Sequence, residues 1–92
     1  EEDAFADHPA RPLLVVEVAE TSLAKDRGIK ARLYAECGVP EYWIVNVAKR
    51  ALEVYTQPVA GKYESIRVFA PGEIARPEAF PEVEVPVAVL FG

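Results

Sequence analysis

Methionine is absent from this 92-residue chain. Glu1 is therefore not the first residue of an unprocessed translation product, and the chain reads as a fragment or matured piece of something longer. The single cysteine, Cys37, excludes an intrachain disulfide and a cysteine-based zinc site. It fits a reducing compartment, with the cytoplasm as the default. Neither a charged-then-apolar leader nor a long apolar run occurs, so no signal peptide and no membrane span is expected. Side-chain amides are confined to Asn46 and Gln57. Together with frequent proline, and charge carried by Glu, Arg and Lys, this leans toward thermophilic composition, which GC-rich coding also produces. Positive charge is scarce as well. A net charge of −5 argues against strong non-specific nucleic-acid binding, which depends on neutralising phosphates. It leaves room for a nuclease that uses a metal and a local basic patch.

Apolar residues make up 51% of the chain, enough for the packed core of one small domain with a thin stability margin. The run Leu13-Leu14-Val15-Val16-Glu17-Val18 predicts a central strand over about 13–19, covered on both faces. A carboxylate in such a strand is costly unless it is paired, hydrogen-bonded or bound to a cation. Thr21 and Ser22 offer an N-cap oxygen for a helix running to about Cys37, with Gly38 as its C′ residue and Pro40 just beyond. At helical spacing Leu23, Asp26, Lys30, Leu33, Tyr34 and Cys37 share a stripe, while Lys25, Arg32 and Glu36 point away. Gly28 reads as a point of close backbone approach.

Downstream the pattern turns to strands: 41–47, then 52–57 after the turn Ala48-Lys49-Arg50. Pro58 to Gly61 reads as the next turn, followed by a half-exposed strand over 62–69. Ala70-Pro71-Gly72-Glu73 is another turn, the proline-rich tail is irregular or edge structure, and 87–91 closes as a short helix. Residues 1–12, acidic and broken by Pro9 and Pro12, read as an exposed lead-in. The order strand, helix, strand, meander predicts an α/β domain with a mixed sheet.

Glu17 and Lys30 are the chemically informative pair, an acid and a base at positions whose neighbours are apolar. Each has a bland reading as well: Glu17 as a structural ion pair, Lys30 as a side chain whose ammonium escapes to the edge or meets Asp26 one turn earlier. A strand carboxylate that holds a metal and a lysine that steadies developing charge are parts of a phosphodiesterase site. Glu20, just past the strand, is a supporting candidate that is otherwise solvated. His8 in its proline-flanked loop reads as solvated, and Tyr42 and Trp43 as packing. Cys37 reads as a small hydrophobe, and Lys49, Arg50 and Lys62 as turn charges.

RPLLVVEV, DRGIK with Tyr34 following, GVPEYWIVNV, the meander and the VPVAVLF tail together resemble the Uma2-type family of restriction-like endonucleases, within the PD-(D/E)XK nuclease superfamily. The resemblance covers 13–92 and implies that 1–92 is the C-terminal part of a longer domain of restriction endonuclease-like fold. That fold is a mixed sheet with a flanking helix and a C-terminal β-meander. The implied function is metal-dependent cleavage of DNA with Mg²⁺ or Mn²⁺.

By the same resemblance Glu17 is the metal-binding acid, with the Val18 carbonyl as a second oxygen. The lysine of the (D/E)XK element would fall at Ala19, and its role passes to Lys30, supported by Asp26. The family's first aspartate lies upstream, and neither Asp3 nor Asp7 sits in the expected strand context. The EYW block of the family usually ends in Asp where this chain has Asn46, which removes a carboxylate. A nuclease-like fold without catalysis, acting as an interaction or assembly module, is the main rival. A hydrolase of small phosphoesters is a third reading, and homo-oligomerisation is left open.

Overall fold

The computed structural model describes residues 11–92; Asp3, Asp7 and His8 lie outside the described residues. Strand β1 (Val15–Ala19) leads into one continuous helix, α1. Its three parts are an α turn Leu23–Lys25, a π-helical segment Asp26–Lys30 and an α segment Ala31–Glu36. Strands β2 (Glu41–Asn46), β3 (Ala51–Val59) and β4 (Lys62–Phe69) follow, then the short pair β5 (Ile74–Ala75) and β6 (Val85–Pro86), and a 3₁₀ turn over Val87–Phe91. The four long strands form one sheet in the order β1-β2-β3-β4. The β1–β2 pair is parallel, joined through α1, and the other two pairs are antiparallel. This is the mixed α/β arrangement expected from the sequence.

Two details of the sequence reading are corrected by the sheet. The first strand is not an interior strand among the described residues: β1 lies at the edge, with Val16 and Val18 47% and 61% exposed. The strand buried throughout is β2, all six of whose residues are buried. An apolar run reports affinity for a core but not how many neighbours the strand has. Secondly, Pro58 is not in the turn. It lies within β3, opposite Tyr63, beyond Thr56, the last β3 residue paired to β2. There its missing N–H costs no ladder bond on that side. The turn itself is the two-residue Ala60-Gly61, both with positive φ (52° and 79°), the hairpin geometry that follows strand twist.

Each sheet face carries its own core. Tyr42 and Ile44 of β2 point toward α1 and join Ala31, Tyr34, Ala35, Tyr55 and Tyr63. Trp43 and Val45 point the other way, to Leu52 and Val54 and the C-terminal segment with Ala75 and Val87. The C-terminal 3₁₀ turn thus acts as a lid for the second face, as its VAVLF composition suggests. Gly38 ends α1 with φ +77°, and Arg11 donates to the Cys37 carbonyl at 2.9 Å.

Helix α1 departs from the sequence reading in three ways. Ser22 occupies the N-cap but makes no cap hydrogen bond; its hydroxyl donates to Asp26 Oδ2 at 3.0 Å instead. The π-helical segment turns the buried face so that Asp26, Ala31, Tyr34 and Ala35 are covered, while Leu33 and Cys37 are half-buried. Gly28 marks no close approach: a Cβ there would meet nothing within 4 Å.

Candidate functional site

Glu17 alternates with exposed Val16 and Val18 on β1, so its side chain lies on the α1 face. The lysine at position 30, about two helical turns in, comes back over the same strand. Lys30 Nζ lies 3.4 Å from Glu17 Oε1 and 3.3 Å from Asp26 Oδ1. The other Glu17 oxygen accepts a hydrogen bond from the Tyr34 hydroxyl at 2.7 Å. Asp26 is 1% exposed and accepts from Ser22. Its Oδ1 has no hydrogen bond of good geometry, so the ammonium contact is what offsets its charge. Lys30 therefore sits between two carboxylates. Partial burial pulls its pKa down, but the hydrogen bond and charge of Asp26 together with Glu17 outweigh that, and the net shift is upward.

Glu20, the other supporting candidate, lies exposed in the bend after β1. Val18 directs its backbone groups outward. The Val47 N–H donates to the Ala19 carbonyl at 3.2 Å, so Ala19 faces β2, and strand alternation turns the Val18 carbonyl to the open edge.

A second ionic cluster lies two strands away. Register places Glu17, Ile44 and Glu53 in one row across the sheet, so both glutamates share a face about 10 Å apart at normal strand spacing. Glu53 is 4% exposed. Arg27 grips it with both Nε and Nη2, Tyr55 donates to it at 2.9 Å and Asn46 at 3.3 Å. Burial raises the Glu53 pKa, but the hydrogen bonds from Arg27, Tyr55 and Asn46 more than reverse this and hold it below the ordinary value. The asparagine that replaces the family's usual Asp thus serves Glu53 with its amide N–H₂ and caps the Lys49 N–H with its oxygen.

Sequence reasoning missed Glu53, Arg27 and a third buried acid, Glu41, which accepts from Trp43 Nε1 and the Glu78 N–H, both at 2.8 Å. One signal was available. The turn between β2 and β3 sets Ile44 opposite Glu53, which would have put that carboxylate on the covered face.

All four tyrosines pack between the sheet and α1, with Tyr42 in the middle at 4.9, 5.6 and 6.1 Å from Tyr34, Tyr55 and Tyr63. Their hydroxyls donate to Glu17, the Asp26 carbonyl, Glu53 and the Val39 carbonyl. Burial is the largest cause raising each pKa, that of Tyr55 to about 12. All four are hydrogen-bond donors across the neutral range. The Tyr42 hydroxyl takes the Asp26 carbonyl at the start of the π-helical segment, a side-chain insertion of the kind that widens a helix.

This arrangement has the elements of a restriction endonuclease-like fold: a mixed sheet, a flanking helix, and an acid and a lysine meeting between them. The chain belongs to the Uma2 family, described as "Putative restriction endonuclease", whose model matches residues 1–88. No curated protein and no solved structure matches the chain.

Restriction endonuclease-like proteins typically use a divalent metal ion. A hard cation of that kind takes about six oxygens. Among the described residues no group of three or more His, Cys, Asp or Glu is arranged to hold one. Both Glu17 oxygens already face donors, and Lys30 fills the space between Glu17 and Asp26. By themselves the described residues do not fit the ion.

Proposed function

We propose that this chain serves phosphodiester hydrolysis in DNA, with Glu17 and Lys30 as its reacting groups. The observation that carries the reading is the Glu17–Lys30 contact of 3.4 Å in a chain of the Uma2 family. Lys30 is the one cation of the pair, and its ammonium offers hydrogen bonds to a non-bridging phosphate oxygen and offsets the charge that builds there. Glu17, steadied by Tyr34, orients water toward phosphorus. Asp26 holds the lysine in position and keeps it charged. Toward Mg²⁺ or Mn²⁺ the chain offers the Glu17 carboxylate and the Val18 carbonyl, too few oxygens to fix the ion.

Plasmid nicking tests this. The 92-residue chain alone is expected to give no detectable nicking with either metal. A longer product that adds an upstream aspartate nicks, and Glu17→Gln or Lys30→Ala in it abolishes the activity. Full activity in both variants would overturn the assignment of these residues.

A second reading, a nuclease-like fold acting as an interaction or assembly module, is favoured by one feature. Lys30 already neutralises the space between Glu17 and Asp26, where a catalytic cation would be expected. A folded longer product that never nicks would establish it over the first.

A further inference from the structure

A groove of about 370 Å³ runs between α1 and the β3–β4 hairpin, within the size range of small-ligand sites of roughly 300–1,000 Å³. It lies on the flank of the helix toward β3 and β4, whereas Asp26, Lys30 and Tyr34 face β1. Arg27, Arg32 and Lys62 line it and no Asp or Glu does. In a chain with 15 acidic and 10 basic residues, three cations converging on one acid-free groove run against the overall charge.

The three are not equivalent. Arg27 is bound to Glu53 through two of its five N–H donors, so its charge is offset while the rest of its fork is free for a second acceptor. Arg32 and Lys62 are exposed, and among the described residues neither is ion-paired. Between the cations the wall is apolar: Ala31, Ile66 and the edges of Tyr55 and Tyr63, whose rings meet edge-on at 6.0 Å. Gly28 leaves it open, since a Cβ there would touch nothing.

We infer that this groove binds a phosphate ester, with the phosphate held by Arg27, Arg32 and Lys62 and the attached sugar and base against the apolar wall. A bare inorganic anion would satisfy the cations and leave that wall unused. The choice of a DNA strand as the ligand rests on the nuclease reading; the groove and its phosphate chemistry do not. Seated about two strand spacings from Glu17, a phosphate here would anchor the strand beside the reacting pair rather than take part in cleavage.

The test is fluorescence anisotropy of the chain with a labelled single-stranded oligonucleotide in EDTA, over a salt series. Arg32→Ala/Lys62→Ala is expected to weaken binding about tenfold or more and to lower the slope of log K against log salt by about 1.4, or 0.7 per lost phosphate contact. Lys25→Ala/Lys49→Ala removes the same charge from other exposed positions and should change affinity by about twofold or less. Arg27 is left intact because its loss would strand Glu53. Amide shifts on titration should centre on Gly28, Arg32, Gly61 and Lys62, and inorganic phosphate should compete poorly. Displacement by dAMP would identify a free nucleotide as the ligand, and its failure a strand; either supports the phosphate-ester site.

Equal losses in the two double variants, shifts centred elsewhere, or no binding at all would overturn the inference. Groove-dependent binding in a longer product that never nicks would remove the nuclease reading and leave the groove standing. Nicking with an unchanged KM in Arg32→Ala/Lys62→Ala would do the reverse.

Discussion

Lys30 settles the balance of charge in the candidate site. With one ammonium between Glu17 and a fully buried Asp26, removing it leaves a carboxylate without compensation in the core. Breaking a buried pair from one side costs about 3–5 kcal/mol, and the one-third exposure of Lys30 reduces that. Lys30→Met is therefore expected to lower stability in urea by about 2–3 kcal/mol. Asp26→Asn in the same background should restore part of the loss; no restoration would mean that Asp26 is not what the lysine compensates. Tyr34→Phe removes only the donor to Glu17 and should cost about 1 kcal/mol. At the second cluster the asymmetry is sharper. Arg27→Leu strands a 4%-exposed glutamate, so it should be more damaging than Glu53→Gln, which leaves an arginine free to turn into water.

At the scale of elements, the π-helical segment is the part of α1 that sends side chains to both clusters: Asp26 and Lys30 toward Glu17, Arg27 toward Glu53. Gly28 inside it has no contact that requires a glycine. Gly28→Ala should stabilise the chain by about 0.5–1 kcal/mol, since alanine removes backbone freedom from the unfolded state. Gly61→Ala should do the opposite. Its φ is +79° and a Cβ would come within 3.1 Å of Glu36 Cγ, so a loss of about 1 kcal/mol is expected. Thermal melts of the two variants moving in the same direction would contradict this account of the helix and the hairpin. Strand β1 contributes in another way, by leaving its outer backbone edge and the Val18 carbonyl open.

For the molecule as a whole, the buried hydrogen bonds define a pH window. The Glu53 pKa is lowered from 4.5, so its stabilisation is present above that value and lost as pH falls through the folded pKa. Lys30 is shifted upward from 10.5 and the four tyrosines from 10.0. Their contributions are full below the unfolded values and disappear as pH rises through the folded ones. Stability in urea should thus hold between about pH 5 and 9.5 as far as these groups are concerned and fall on both sides. Glu53→Gln should flatten the acid limb alone. Tyrosine ionisation followed by absorbance should begin only with alkaline unfolding; titration of a tyrosine near pH 10 in the folded chain would contradict the buried network.

Order of elements, the helix register at Tyr34, the αL stop at Gly38, the 62–69 strand and the closing turn at 87–91 were set by local chemistry: periodicity, capping and turn residues act within a few positions. The same local signals singled out Glu17 and Lys30, because a charged side chain among apolar neighbours stands out in a linear reading. Local chemistry did not specify that β1 is an edge, that Pro58 lies in a strand, or that Glu53 is buried, since each depends on which strand lies beside which. Strand pairing brings Glu17, Ile44 and Glu53 into one row from three separate segments, and the helix then lays Lys30, Asp26 and Arg27 over it. The groove between α1 and the β3–β4 hairpin is a tertiary product in the same sense. Arg27, Arg32 and Lys62 are ordinary surface charges in the sequence, and only packing the helix against the hairpin gives them a common space to face.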